Sequence, residues 1–352
     1  MIGASAVAVA LAACGGGDDS SSSASSLDFT GMSQDQLYKA AKDAGEDKIT
    51  LYTVLSKDDL DVIAKPFEAK YPGIKVEGVE SQGEDSAAKM MEEANAGVHS
   101  VDILDTEQNT IYAISQQGLL AKYDPPAAKD FDPQYKHPTF TGFRIQIKPM
   151  AYNTKLIKGD DVPKTYDDLL DPKYKGKICA EASEVAVFQM MLADWGEDKA
   201  LSWWKTLTEN GLRFVSGQTS LIESIVSGDC PIATSANVHG IAPLAADGAP
   251  VAWVRTDPMY ANYGAVGVAK DAPHPAAARL WENYLLSPEG QQSVSDNWRI
   301  PANPAVATKE PELVDRSSYT VMVAGDKEME NATDANNLYY TTTDRPVVAP
   351  GG

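Results

Sequence analysis

Basic side chains are scarce in this chain: 30 Lys and Arg stand against 50 Asp and Glu, a formal net charge of −20. A balance that acidic offers no basic face to nucleic acid and no polybasic patch to anionic lipid. Acidity alone selects no ligand, because it also simply solvates a surface. Cysteine is nearly absent, at three residues in 352, so a cysteine-rich metal module is excluded. The four histidines, His99, His137, His239 and His274, form no His-Glu-x-x-His pair. Neither a Gly-x-Ser-x-Gly elbow nor a Gly-rich phosphate loop occurs. No catalytic residue, resident metal or cofactor is therefore expected. A hydrolase built on a convergent triad stays open as a minor alternative. Beyond Cys14 no apolar run approaches the ~20 residues that a membrane span requires.

What is present begins at the front. The apolar run Ala6–Leu11 leads into Leu11-Ala12-Ala13-Cys14, followed by a Gly/Asp/Ser-rich stretch to Ser26. Small residues before a cysteine, then a flexible spacer, resemble a bacterial lipobox. The resemblance implies cleavage after residue 13 and a lipid such as palmitate on Cys14. The expected product is exported and anchored to the outer face of the membrane. No Lys or Arg precedes the apolar run, a departure from the usual basic start of such signals.

At this length one core is uncomfortable and two lobes are expected. Lys48–Thr53 reads as a buried strand. Ser56 with Asp59 three residues on then opens a helix whose Leu60, Ile63, Ala64 and Phe67 share one face, with Pro66 inside it. Ile74–Val79, an Ala87/Met90/Met91/Ala94 stripe, Val101–Leu104 and a helix over 107–117 continue a β-α alternation, which predicts a parallel sheet covered on both faces. The same grammar recurs from Lys177. Ser183 is predicted to cap a helix, Trp203-Trp204 lie in another as lobe packing, and Ser220 with Glu223 resembles a second capping box. Strands Leu212–Val215, Pro231–Thr234 and Val251–Arg255 follow, with a helix over Val238–Ala246.

The predicted class is α/β, with two lobes, a hinge and a central cleft. Residues 1–13 are read as a signal peptide and 14–46 as lipidated cysteine plus linker. The first part of lobe 1 is 47–149, lobe 2 is 150–259, and 260–307 returns to lobe 1. Residues 308–352 form an extension in which Asn331–Gly352 looks like a surface-packed or disordered tail. Cys179 and Cys230 each sit in a short strand-like run. In an exported chain they suggest one disulfide, worth ~4 kcal/mol on the chain-entropy estimate, with two buried thiols as the alternative.

Specific residues add a family resemblance. Met150-Ala151-Tyr152-Asn153-Thr154-Lys155-Leu156 is similar to the first hinge crossing of bacterial ABC-transporter solute-binding proteins. Val162-Pro163-Lys164-Thr165-Tyr166-Asp167-Asp168-Leu169 with Tyr174-Lys175-Gly176-Lys177-Ile178 resembles their entry to the second lobe. Ser227-Gly228-Asp229, Leu285-Leu286-Ser287-Pro288-Glu289-Gly290-Gln291 and Arg299-Ile300-Pro301-Ala302-Asn303-Pro304 match in order. The branch that looks most similar includes ferric-ion, phosphonate and thiamine binders. The resemblance implies a periplasmic-binding-protein-like fold that closes on a small solute and delivers it, as a monomer, to an ABC permease. A ligand-sensing lipoprotein for a membrane receptor is the alternative from another class.

In doubly wound sheets the cleft lies at strand C-termini and helix N-termini. Those positions nominate Ser56, Thr106, Glu107, Ser183, Thr219, Ser235, Asn237 and His239, with Tyr152 and Tyr260 at the two hinge crossings. Ferric binders of this branch hold iron with adjacent tyrosines just after the strand matching Pro231–Thr234. Here Ser235-Ala236-Asn237-Val238-His239 stands instead, which argues against tyrosinate-held iron. Tyr339-Tyr340 is an adjacent pair at the wrong place and is read as surface or lobe packing. Hydroxyl- and amide-rich helix starts suit an anion, whereas Asp58, Asp59 and Glu184 complement helix dipoles and would repel one, and Asp105 and Glu107, facing the cleft, would suit an ammonium group. An aminoalkylphosphonate, or another zwitterion or amine, is the solute this favours, with ferric ion ranked below it.

Overall fold

The protein is described from a computed structural model. It describes residues 28–310, 313 and 316–345, so the signal and lipidation readings at 1–13 and Cys14 lie outside the described residues. The first β-α series runs α1 (Gln34–Asp43), β1 (Lys48–Thr53), α2 (Lys57–Lys70), β2 (Lys75–Glu80), α3 (Gly83–Asn95), β3 (Ile103–Glu107) and α4 (Gln108–Gln116). The short β4 (Lys136–His137) and the long β5 (Phe140–Ile147) follow. The Leu60/Ile63/Ala64/Phe67 stripe of α2 is buried as the spacing predicts, and the helix continues past Pro66, which lies on its exposed side.

A second series is β6 (Met150–Asn153), β7 (Ile178–Glu181), α5 (Val185–Trp195), α6 (Glu197–Glu209), β8 (Arg213–Val215), α7 (Gln218–Ser227), β9 (Ile232–Ala233), α8 (Val238–Ala246) and β10 (Val251–Val254). The chain then forms β11 (Met259–Val268), α9 (Pro275–Leu286), α10 (Pro288–Asp296) and β12 (Ile300–Pro301). It ends its described course with β13 (Val321–Met322), α11 (Asp326–Glu330) and α12 (Ala332–Thr342).

Two sheets result, and with them two lobes. The sheet of lobe 1 has the order β12-β5-β11-β3-β1-β2, with β13 on β11 and β4 on β5; that of lobe 2 is β10-β6-β9-β7-β8. The predicted parallel sheet holds for β2-β1-β3. It fails at β11, which runs antiparallel to both β3 and β5 because it re-enters lobe 1 from the other lobe rather than through a crossover helix. Two further details correct the sequence reading. Ser183 does not cap α5; its hydroxyl and N–H both donate to Glu181 Oε2. Helix α7 starts two residues before Ser220, with Gly217 at its N-cap in a left-handed conformation (φ 84°).

The crossings between lobes are the Lys148-Pro149 pair after β5 and residues 255–258 before β11. They are joined where Lys148 N–H donates to Tyr260 O at 2.9 Å. A third segment also crosses. β13 pairs with the first residues of β11, α11 packs on α4 of lobe 1, and α12 packs on α5 and α6 of lobe 2. Tyr339 is wholly buried there, its ring 5.4 Å from Phe188 and 5.3 Å from Trp204. This replaces the surface-packed or disordered tail expected from residue 331 with a core helix, while the packing role read for Tyr339-Tyr340 stands. Cys179 and Cys230 are joined by a disulfide, with Cα atoms 6.0 Å apart, because the neighbouring strands β7 and β9 bring them side by side.

Candidate functional site

The site grows from β5, all eight of whose residues are buried. Arg144 on this strand is 1 % exposed, and burying a guanidinium demands partners. Its Nη1 donates to Asp105 Oδ1 at 2.5 Å, and Nη2 lies 3.7 Å from Glu107 Oε1. Both acids stand at the C-terminal end of β3, where the sequence places cleft residues. Asp105 also accepts from Thr53 Oγ1 at 2.8 Å. Glu107 accepts from Gln146 Nε2 at 2.8 Å and from Asn262 Nδ2 at 3.0 Å. Although burial alone would lower the Arg144 pKa, Asp105 and Glu107 hold it above the ordinary value. Gly264 makes room for this side chain: any Cβ there would collide with the guanidinium.

At the hinge, Lys148 Nζ donates to Glu184 Oε2 at 2.8 Å, so a residue between the lobes is tied to the N-cap of α5. Gln218 Nε2 donates to the same oxygen at 3.1 Å, and Gln218 Oε1 accepts from the Asn237 N–H at 3.1 Å. From lobe 1, Arg299 Nη2 reaches Asp59 Oδ2 at 3.0 Å, and Asn297 Nδ2 donates to Asp59 Oδ1 at 2.7 Å. Asp59 was read as half of a capping box. Its backbone N–H does donate to Ser56 Oγ, but its carboxylate serves Arg299. Against burial, Asn297 and then Arg299 keep that carboxyl below its usual range.

Across the cleft, His239 Nε2 on α8 lies 3.4 Å from Arg299 Nη1. Burial, then the charges of Arg299, Lys148 and Arg144, push the His239 pKa down to about 3. The imidazole is therefore neutral and stands among three cations. On the elements that carry these residues, several buried side-chain atoms have no hydrogen-bond partner among the described residues. The donors are Arg144 Nε and Nη2 and Arg299 Nε; the others include Thr106 Oγ1, Ser235 Oγ, Asn237 Oδ1 and Asn262 Oδ1. Buried donors are costly to leave unmade, so the two arginines are set to receive acceptor oxygens, while the amide oxygens of Asn237 and Asn262 call for donors.

Of the nominated residues, Glu107 and His239 meet in this cluster, and Asn237 joins it through Gln218. Ser235 and Thr106 are buried with open hydroxyls, although Thr106 Oγ1 lies against Gly83 at the start of α3. Ser56 serves as the N-cap of α2, and Ser183 and Thr219 are exposed. Tyr152 packs its ring on the hydrophobic core. Tyr260, 2 % exposed, donates to Asp194 Oδ2 at 2.7 Å and stacks on Tyr166 with ring centres 5.4 Å apart. The residues sequence reasoning missed are Arg144, Lys148 and Arg299. Arg144 lies within β5 and Lys148 just past its end, and the available signal was charge beside an apolar run.

Among the described residues no group of three or more His, Cys, Asp or Glu side chains could hold a metal ion, and no helix is long and apolar enough to cross a membrane. Residues 62–318 match the profile of the family described as bacterial extracellular solute-binding protein. The chain is 23% identical over 273 residues to iron uptake protein A1 of Synechocystis sp., covering 72% of this chain and 74% of that one. The structure of iron-bound HitA from Pseudomonas aeruginosa superposes with a TM-score of 0.74 at 20% identity, over 84% of this chain and 99% of that one. A Trichodesmium protein in complex with iron and citrate ligands gives 0.71 at 21%, over 84% and 99%. These iron-named relatives overturn the expectation of an aminoalkylphosphonate or other zwitterion or amine, and the ranking of ferric ion below it.

Proposed function

Because the chain belongs to the family of bacterial extracellular solute-binding proteins, which serve ABC transport systems, we propose that its cargo is ferric iron, carried as an anionic oxygen-ligand chelate of the citrate type. The observation that carries this reading is the pair of arginines at the cleft. Arg144 and Arg299 each satisfy a carboxylate on one side and leave N–H groups open on the other. A guanidinium fork matches carboxylate oxygens in geometry and charge. With Ser235-Ala236-Asn237 after β9 and no side-chain metal cluster among the described residues, the iron keeps the chelator's oxygens as ligands and the protein grips the chelator. Asn237, Ser235 and neutral His239 complete the contacts from lobe 2. Closure follows from the cargo touching both lobes at once, since a ligand shifts the balance only by fitting the closed state better. The loaded monomer then docks on a membrane permease, held near it by a lipid on Cys14.

The test is thermal unfolding and calorimetric titration of the protein with ferric citrate, citrate alone, unchelated ferric ion and fructose 6-phosphate. At ~100 times Kd a true cargo stabilises by ~2.7 kcal/mol, a shift of a few degrees. Ferric citrate is expected to act most strongly, Arg299→Ala to weaken it at least about tenfold, and the loaded protein to show no tyrosinate-to-iron absorption band. An equal response to citrate without iron, or a tyrosinate band, would overturn the reading.

A further inference from the structure

Away from the cleft, a cavity of about 640 Å³ opens in lobe 1 between residues 28–30, the segment around Tyr123, β4 and α9. In a chain of net charge −20, three of its lining side chains are cations: Lys122, Lys136 and Arg279. Arg279 is held in place rather than free. Its guanidinium carbon lies 4.4 Å from the ring centre of Phe29 and 5.4 Å from that of Tyr123, and Nη1 donates to Pro275 O at 2.9 Å. No carboxylate pairs with it within 4 Å among the described residues. The acid that acts on it most is Glu282 on the same helix, and burial pushes that carboxyl up to about 8. Burial, the largest influence, lowers the Arg279 pKa, and Glu282, Tyr123 and Glu46 act against it without forming an ion pair. Lys136 has a carboxylate 3.6 Å away, but Asp124 is 84% exposed and screened by water. Asp28, at the rim, uses one oxygen on the Thr30 N–H.

We propose that this cavity is a second binding site, independent of the cleft, for a phosphate-bearing anion, either free or as the headgroup of an anionic phospholipid. Three positive groups arranged around one hollow suit the three or four oxygens of a phosphate better than the two of a carboxylate. The arginine, fixed between two aromatic rings, loses little freedom on binding. The reaching lysines supply the remaining charge from two sides.

The experiment uses the full chain and the double variant Lys122→Glu/Lys136→Glu, at one exposed and one half-buried position of the cavity wall. Inorganic phosphate is titrated by calorimetry, and flotation is measured with phosphatidylcholine vesicles with and without phosphatidylglycerol. Native protein is expected to bind phosphate with an affinity that falls as salt rises. The double variant should bind at least about tenfold more weakly while keeping its ferric citrate response, and Arg299→Ala should keep phosphate binding. Flotation only with phosphatidylglycerol identifies the lipid headgroup as the source; phosphate binding without flotation identifies a free anion. Neither response, or phosphate binding that survives the lysine changes and is lost with Arg299→Ala, overturns the proposal. Arg279→Lys serves as a further variant that keeps charge and loses the planar fork, and it should weaken phosphate while keeping the ferric citrate response.

Discussion

His239 shows how one residue can report the state of the whole cleft. Its pKa of about 3 in the fold lies below the ordinary 6.5. Between those values the unfolded chain holds a proton that the folded chain does not, so stability rises with pH through the window and falls as the medium is acidified from 6.5. Replacing it by glutamine removes this dependence. Urea unfolding at pH 7 and pH 4.5 should show native protein losing on the order of 1 kcal/mol more than His239→Gln, after allowance for relaxation as the lobes part. Identical losses in the two proteins would mean the imidazole is not shielded. Gly264 makes the complementary point by having no side chain at all. Gly264→Ala should displace Arg144 from Asp105 and abolish ferric citrate binding, while circular dichroism stays that of a folded protein. Retained binding would show that the guanidinium is dispensable.

Helix α12 is the element whose role departs furthest from its appearance in the sequence. Its buried positions Ala335, Tyr339 and Tyr340 occupy a narrow face of an otherwise polar ATDANNLYYTT segment. Tyr339→Ala should cost ~3–5 kcal/mol, the range for an aromatic removed from a core, read as a lower midpoint in denaturant. A change near zero would mean that the helix merely rests on the surface. Elements with broad apolar stripes, such as α2 and its Leu60/Ile63/Ala64/Phe67 face, were legible because periodicity alone determines which side is buried. The start of α7 was not, since Ser220 offered a cap signal and Gly217 supplied the actual turn. The acids at the end of β3 were legible by position in a β-α unit, whereas Arg299 was visible only as part of a motif and its partner Asp59 only as a cap. A carboxylate at a helix start serves the dipole and an ion pair equally well, and spacing cannot tell the two apart.

At the scale of the molecule, the disulfide belongs to lobe 2 alone, whereas the site draws both its arginines from lobe 1. The bridge closes a loop with a sequence separation of 51 residues, worth ~4 kcal/mol by chain entropy. The Cys179→Ala/Cys230→Ala protein should lose about that much in equilibrium unfolding yet bind ferric citrate with unchanged affinity at moderate temperature. A matching loss of affinity would tie the bridge to the cleft. The antiparallel entry of β11 belongs to this scale too. It depends on the chain having left lobe 1 and returned, a fact of path that no local pattern carries.

The third crossing places the last described helix of the chain on a lobe whose strands were all made nearly eighty residues earlier. Phe188 and Trp204 lack their Tyr339 contact until α12 has docked. Completion of lobe 2 therefore waits for α12, and until that helix docks the lobe lacks its final clasp.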